Sequence, residues 1–115
     1  MYDHIGLRVK NMAKSTAFYE ATLGALGHVQ ASGGGFGPKD APGFWLLASK
    51  KPVKGIHICF SAPSRAAVER FYKEGLKHGG KDNGKPGIRK DYSPNYYAAF
   101  LIDPDGNNVE AVCML

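Results

Sequence analysis

Three residues carry the donor types of a metal centre, and strand alternation turns each of them away from an aliphatic face. His4 lies in the strand-like stretch Tyr2–Val9, where Ile5, Leu7 and Val9 share one side and leave His4, Gly6 and Arg8 on the other. His57 lies in Gly55–Phe60, where Ile56, Ile58 and Phe60 alternate with His57 and Cys59. Near the C-terminus, Val109, Ala111 and Cys113 alternate with Glu110. Two imidazoles and a carboxylate can hold a divalent ion and leave coordination positions open for a substrate; Zn, Mn, Fe, Ni and Co all accept such donors. The same residue types also serve as ordinary polar residues of a strand or, for a carboxylate beside a turn, as partners of Lys or Arg. Which role applies depends on how the strands are arranged.

Each His-bearing strand leads into a helix. Asn11 is an N-cap for a helix with Phe18, Tyr19 and Leu23 on its apolar stripe and Gly24 and Gly27 at its end. Ser64 is the matching cap for a helix carrying Val68, Phe71, Tyr72 and Leu76 and closed by Gly79 and Gly80. An offset of 53 residues, without gaps, aligns His4 with His57, Ile5 with Ile58, Ala13 with Ala66, Phe18 with Phe71, Tyr19 with Tyr72, Leu23 with Leu76 and Gly27 with Gly80. Identities in one register across a strand and a helix mark a duplicated module. Further strands are expected at Gly27–Ala31, Phe44–Ala48, Tyr96–Ile102 and Asn108–Cys113. The last two flank Asp103-Pro104-Asp105-Gly106-Asn107, a turn sequence that implies a hairpin. Each half then reads as strand, helix and three strands.

This duplicated module resembles the vicinal oxygen chelate superfamily of glyoxalases, bleomycin-resistance proteins and extradiol dioxygenases. The residues that carry the resemblance are Asp3-His4-Ile5-Gly6-Leu7, Phe18-Tyr19-Glu20, Ile56-His57-Ile58 and the closing Asp103-Pro104-Asp105-Gly106-Asn107-Asn108-Val109-Glu110. The resemblance covers essentially the whole chain. It implies a single α+β domain over 1–115, with module one at about 1–53 and module two at about 54–115, the two tandem βαβββ modules forming an open, cup-shaped half-barrel. Within such a cup His4, His57 and Glu110 converge, and the family's equivalent positions are metal ligands. A divalent metal ion (Zn, Mn, Ni or Fe) and a homodimer follow as expectations. The implied function is that of a metal-dependent lyase, isomerase or dioxygenase acting on a small substrate with vicinal oxygens. The alternative is a metal-free small-molecule binding or antibiotic-resistance protein of the bleomycin or fosfomycin type. Phe44-Trp45-Leu46-Leu47-Ala48 lacks the polar donor that glyoxalase I places there, and Phe100 stands where extradiol dioxygenases commonly have a tyrosine. Arg8, Tyr96 and Phe100 are the expected substrate-binding residues, Arg8 for an anionic group and Tyr96 for a hydrogen bond.

Composition removes several other classes. A chain of 115 residues has room for one ordinary core, and six Phe, six Tyr and one Trp among 43% apolar residues supply it, which excludes disorder. No apolar run approaches the roughly 20 residues of a membrane helix, so a soluble, cytoplasmic protein with no membrane partner is expected. The net charge of +5 comes from scattered Lys and Arg without interleaved aromatics, a pattern of a solvated surface and not of a nucleic-acid partner. Cys59 and Cys113, on different strands and without CxxC spacing, are expected to be reduced core thiols. The run Gly33-Gly34-Gly35-Phe36-Gly37 lacks the spacing of a dinucleotide-binding loop and reads as a flexible loop over the cup. His28 and His78 stand near helix ends, where a capping role suffices.

Overall fold

Two helices begin where short polar side chains can satisfy their first N–H groups. Asn11 accepts the Lys14 N–H at 3.0 Å and opens α1 (Met12–Ala25), and Ser64 accepts the Ala67 N–H at 3.0 Å and opens α2 (Arg65–Lys77). The chain leaves each helix through a left-handed glycine, Gly27 at φ 92° and Gly79 at φ 98°. The computed structural model describes residues 1–115 and adds eight strands: β1 (Ile5–Val9), β2 (Val29–Gln30), β3 (Phe36–Gly37), β4 (Phe44–Ala48), β5 (His57–Ser61), β6 (Lys81–Ile88), β7 (Tyr97–Ile102) and β8 (Asn108–Cys113).

The strands form two four-stranded sheets with equivalent orders, β1-β4-β3-β2 and β5-β8-β7-β6. In both, the first strand of the module pairs in parallel with the last, β1 with β4 and β5 with β8, and the remaining pairs are antiparallel. This is the expected α+β architecture of two βαβββ modules, with the sheets not closed into a barrel. The helix-covered faces of both sheets share one core: Leu7, Phe18, Leu23, Phe71, Leu101 and Val109 are fully buried in it. The helices meet closely because Gly75 carries no side chain; a Cβ there would collide with Leu101 and come within 3.0 Å of Thr22 Cγ2. The opposite faces of the sheets point away from the helices.

Several local expectations are corrected. The first strand starts at Ile5 instead of Tyr2, and β6 arises in a polar, Gly- and Pro-containing stretch where no alternation announces a strand. Its pairing with β7 is irregular, with register shifts at Gly84, which explains the missing signal. Gly33–Gly37 is not a flexible loop over a cup: Phe36 and Gly37 pair with β2 and β4, and Phe36 is 2% exposed in the core. Leu76, placed on an apolar stripe, is exposed, whereas its counterpart Leu23 is buried. Cys113 is a core thiol, but Cys59 is exposed on the outer face of β5. No helix is long and apolar enough to cross a membrane.

Candidate functional site

The parallel pairing of β5 with β8 sets the central geometry. Cys59 lies opposite Glu110, and the next register pair, on the antiparallel side of β8, sets Phe100 opposite Glu110. Val109, Ala111 and Cys113 enter the helix-side core, as the alternation predicts, so Glu110 projects to the other face. There it is 1% exposed, among the small apolar group of Ala98, Phe100 and Val112 that Tyr96 packs against. A carboxylate so placed needs compensation for lost hydration. It receives no Lys or Arg. Instead His57 Nε2 donates to Oε1 at 2.8 Å, and the Tyr96 hydroxyl donates to Oε2 at 2.5 Å. The Tyr96 phenol is held well above its ordinary range, first by desolvation and then by this hydrogen bond, so it stays protonated.

Phe100 flanks the pair, its ring centroid 6.3 Å from that of His57. Cys59 Sγ lies 4.0 Å from the Tyr96 hydroxyl. Desolvation and then the charge of Glu110 push the Cys59 thiol up to about 12, so at neutral pH it is a thiol and not a nucleophilic thiolate.

His4 stands apart. It precedes β1 and borders an open cleft of about 400 Å³ on the outer face of the first sheet, together with Asp3, Gly6, Pro42, Trp45 and Leu47. Its Nδ1–H donates to Asp3 at 2.7 Å, which leaves Nε2 without a partner. A carboxylate on one ring nitrogen is the usual orienter of a histidine that coordinates through the other. Arg8 shares this face of β1, is exposed, and forms no salt bridge. The structure thus brings His57, Glu110, Tyr96 and Phe100 together on one sheet and leaves His4 and Arg8 on the other. No three His, Cys, Asp or Glu side chains of the single chain are grouped closely enough to hold a metal. His78 donates from Nδ1 to the Glu74 carbonyl at 2.8 Å, a helix-end contact, and His28 lines an apolar cavity beside Phe36 and Phe60, where burial lowers its pKa.

The donor geometry can be tested against a metal. Two donors each roughly 2.1 Å from one ion, at right angles, stand about 3 Å apart. The His57–Glu110 separation of 2.8 Å fits that spacing. One chain therefore presents two donors at that spacing, with no third His, Cys, Asp or Glu grouped beside them.

Sequence reasoning picked out Tyr96 but not its partner. The expected strand Tyr96–Ile102 begins one residue later, at Tyr97, and alternation that puts Tyr96 on the side of Phe100 names no partner; only the fold reveals that its hydroxyl reaches Glu110. Arg89 was also missed: its guanidinium lies over the Phe100 ring, at 5.3 Å, and its place outside the alternating pattern gave no sign of this.

Comparison with known proteins gives a consistent picture. The family model described as Glyoxalase/Bleomycin resistance protein/Dioxygenase superfamily matches residues 2–111. A glyoxalase/bleomycin resistance protein from Albidiferax ferrireducens T118 superposes with a TM-score of 0.81 at 28% identity, covering 97% of each chain. A glyoxalase/bleomycin resistance protein/dioxygenase family enzyme from Burkholderia phytofirmans PsJN superposes with a TM-score of 0.73 at 14% identity over 98% of each chain, a likeness of fold. No curated protein matches the sequence.

Proposed function

Because the chain belongs to the glyoxalase/bleomycin resistance protein/dioxygenase superfamily, we propose that it is a metal-dependent enzyme whose site is completed between two copies, His4 of one joining His57 and Glu110 of the other. The observation that carries this reading is the division of donors: a spaced His57–Glu110 pair on the outer face of one sheet, and His4 with a free Nε2 on the outer face of the equivalent sheet. A homodimer that faces unlike sheets together would unite the three and cover Trp45 and the exposed Leu47. A divalent ion bound there would act as a Lewis acid toward two adjacent substrate oxygens, leaving the reaction of lyase, isomerase or dioxygenase type.

The chain's own residues supply the rest. Tyr96 holds Glu110 Oε2, fixing the carboxylate so that Oε1 points at His57. Phe100 forms an apolar wall beside the pair, and burial of Glu110 keeps water from competing for its oxygens. Arg8 offers a cation from the facing sheet.

Metal analysis of untagged protein tests the proposal. Replacing His4, His57 or Glu110 by Ala should each sharply lower metal content, whereas His28→Ala and His78→Ala should leave it intact. One observation favours a second reading: both Glu110 oxygens are already satisfied within the chain, as in a metal-free binding module. Such a module would bind none of Zn, Mn, Ni or Fe(II) above background, and none of the five substitutions would change that.

A further inference from the structure

The outer face of the second sheet also carries a cation in a fixed position. Arg89 lies between β6 and β7 and is half-buried, its guanidinium 5.3 Å from the centre of the Phe100 ring, the same ring that neighbours His57 at 6.3 Å. Nη1 donates to the Gly87 carbonyl at 2.9 Å and Nη2 to the Lys85 carbonyl at 2.6 Å. The backbone thus holds the head group, and Arg89 makes no salt bridge. Of the five guanidinium N–H donors, those two contacts leave three free. Gly84 makes room for this arrangement, since a Cβ there would lie 2.9 Å from Phe100 Cδ1 and 3.2 Å from Arg89 Nη2. An arginine without a carboxylate partner, stacked on an aromatic ring and already ordered, has little entropy left to lose on meeting a planar anion.

We propose that Arg89 anchors a carboxylate of the substrate, so that the site takes small 2-hydroxy or 2-oxo acids in preference to neutral diols. The substrate-class part of this rests on the metal-site reading above, because the 2-oxygen and one carboxylate oxygen are then the adjacent pair that meets the ion. The second carboxylate oxygen faces Arg89. The apolar remainder of the acid lies along Phe100. Anion capture by Arg89 itself does not require the metal, which allows the two ideas to be tested apart.

The first arm is an NMR titration of full-length, metal-free, ¹⁵N-labelled protein with benzoate and with its neutral isostere benzamide. Benzoate should shift the Arg89 Nε–H and Phe100 amide signals, and benzamide should bind at least about tenfold more weakly. Arg89→Gln should weaken benzoate at least about tenfold, Arg89→Lys should retain part of the binding, and Arg70→Gln, at an exposed arginine of α2, should change nothing. Equal binding of benzoate and benzamide, shifts located away from Arg89 and Phe100, or benzoate affinity untouched by Arg89→Gln would each overturn the proposal. Should Arg89→Gln fail to fold, the benzoate–benzamide contrast and the position of the shifts in the unaltered protein still decide. The second arm compares mandelate with its methyl ester on metal-loaded protein, where mandelate should gain affinity over its metal-free value. No gain, with the first arm positive, would sink the metal-linked substrate class and leave Arg89 as an anion site.

Discussion

A carboxylate that is 1% exposed, as Glu110 is, would carry a penalty of several kcal/mol if nothing offset its lost hydration. His57 and Tyr96 provide that offset, and they do so with different consequences. In the proposed site His57 would exchange its proton for a metal, whereas Tyr96 stays a donor because its phenol is held protonated. Tyr96→Phe should therefore weaken metal affinity by roughly 10-fold or more while the fold persists, as loss of an outer hydrogen bond to a ligand does. Competition with a metal-binding dye would measure it, and an unchanged affinity would remove Tyr96 from the site. The parity of β5 and β8 made His57 and Glu110 legible in the sequence, because alternation assigns faces wherever one face is buried. Alternation put Tyr96 on the side of Phe100 but could not name Glu110 as its partner, and Arg89's stacking left no trace in the sequence, since Arg89 sits in a connection, where side-chain direction is set by tertiary packing.

At the scale of elements, the Asp103–Asn107 turn does more than close a hairpin. Asp103 and Asn107 are buried, and the turn reaches into module one: Tyr19 of α1 donates its hydroxyl to Asp103 at 2.5 Å, and Asn107 Nδ2 donates to the Val53 carbonyl at 3.1 Å. Asn107 also accepts the Ile56 N–H at 3.2 Å, while Asp103 accepts the N–H groups of Asp105 and Asn107. The turn therefore fastens the two modules together. Tyr19→Phe leaves Asp103 short of a donor in a buried place and should destabilise the protein by about 1–3 kcal/mol, measured by urea unfolding. Desolvation, aided by Asp103, raises the Tyr19 pKa far above its ordinary 10.0. The unfolded chain ionises this phenol first, so its contribution is full below pH 10 and falls as pH rises beyond it. The alkaline loss of stability should be shallower in Tyr19→Phe, and an identical slope would contradict the assignment. Where α1 meets α2, Gly75→Ala should cost about 1–3 kcal/mol by pushing Leu101 out of its rotamer. A Tm equal to that of the unaltered protein would show that the contact gives way freely. The helices, caps and duplication were visible in the sequence because capping and apolar spacing are local. The two-residue β2 and β3 and the irregular β6 were not, because their pairing depends on neighbours distant in the chain.

For the whole molecule, the decisive feature is that the helices share one core and the outer faces of the two sheets point elsewhere. Duplication produced two equivalent histidines, His4 and His57, but only the second lies beside a buried carboxylate within the chain. If two copies unite the donors, the protein should be a dimer at micromolar concentration, and light scattering that gives a monomer would count against it. The most direct measurement mixes two defective proteins. His4→Ala and Glu110→Ala should each be metal-poor, and each retains what the other lacks. After subunit exchange at equal amounts, mixed dimers carry one intact site and one doubly damaged site, so metal content should recover to about one quarter of the unaltered level if exchange is random. Recovery on mixing, absent from either variant alone, is the result predicted for a site shared between copies. A mixture that stays as metal-poor as its components, with exchange verified by native mass spectrometry, would contradict it.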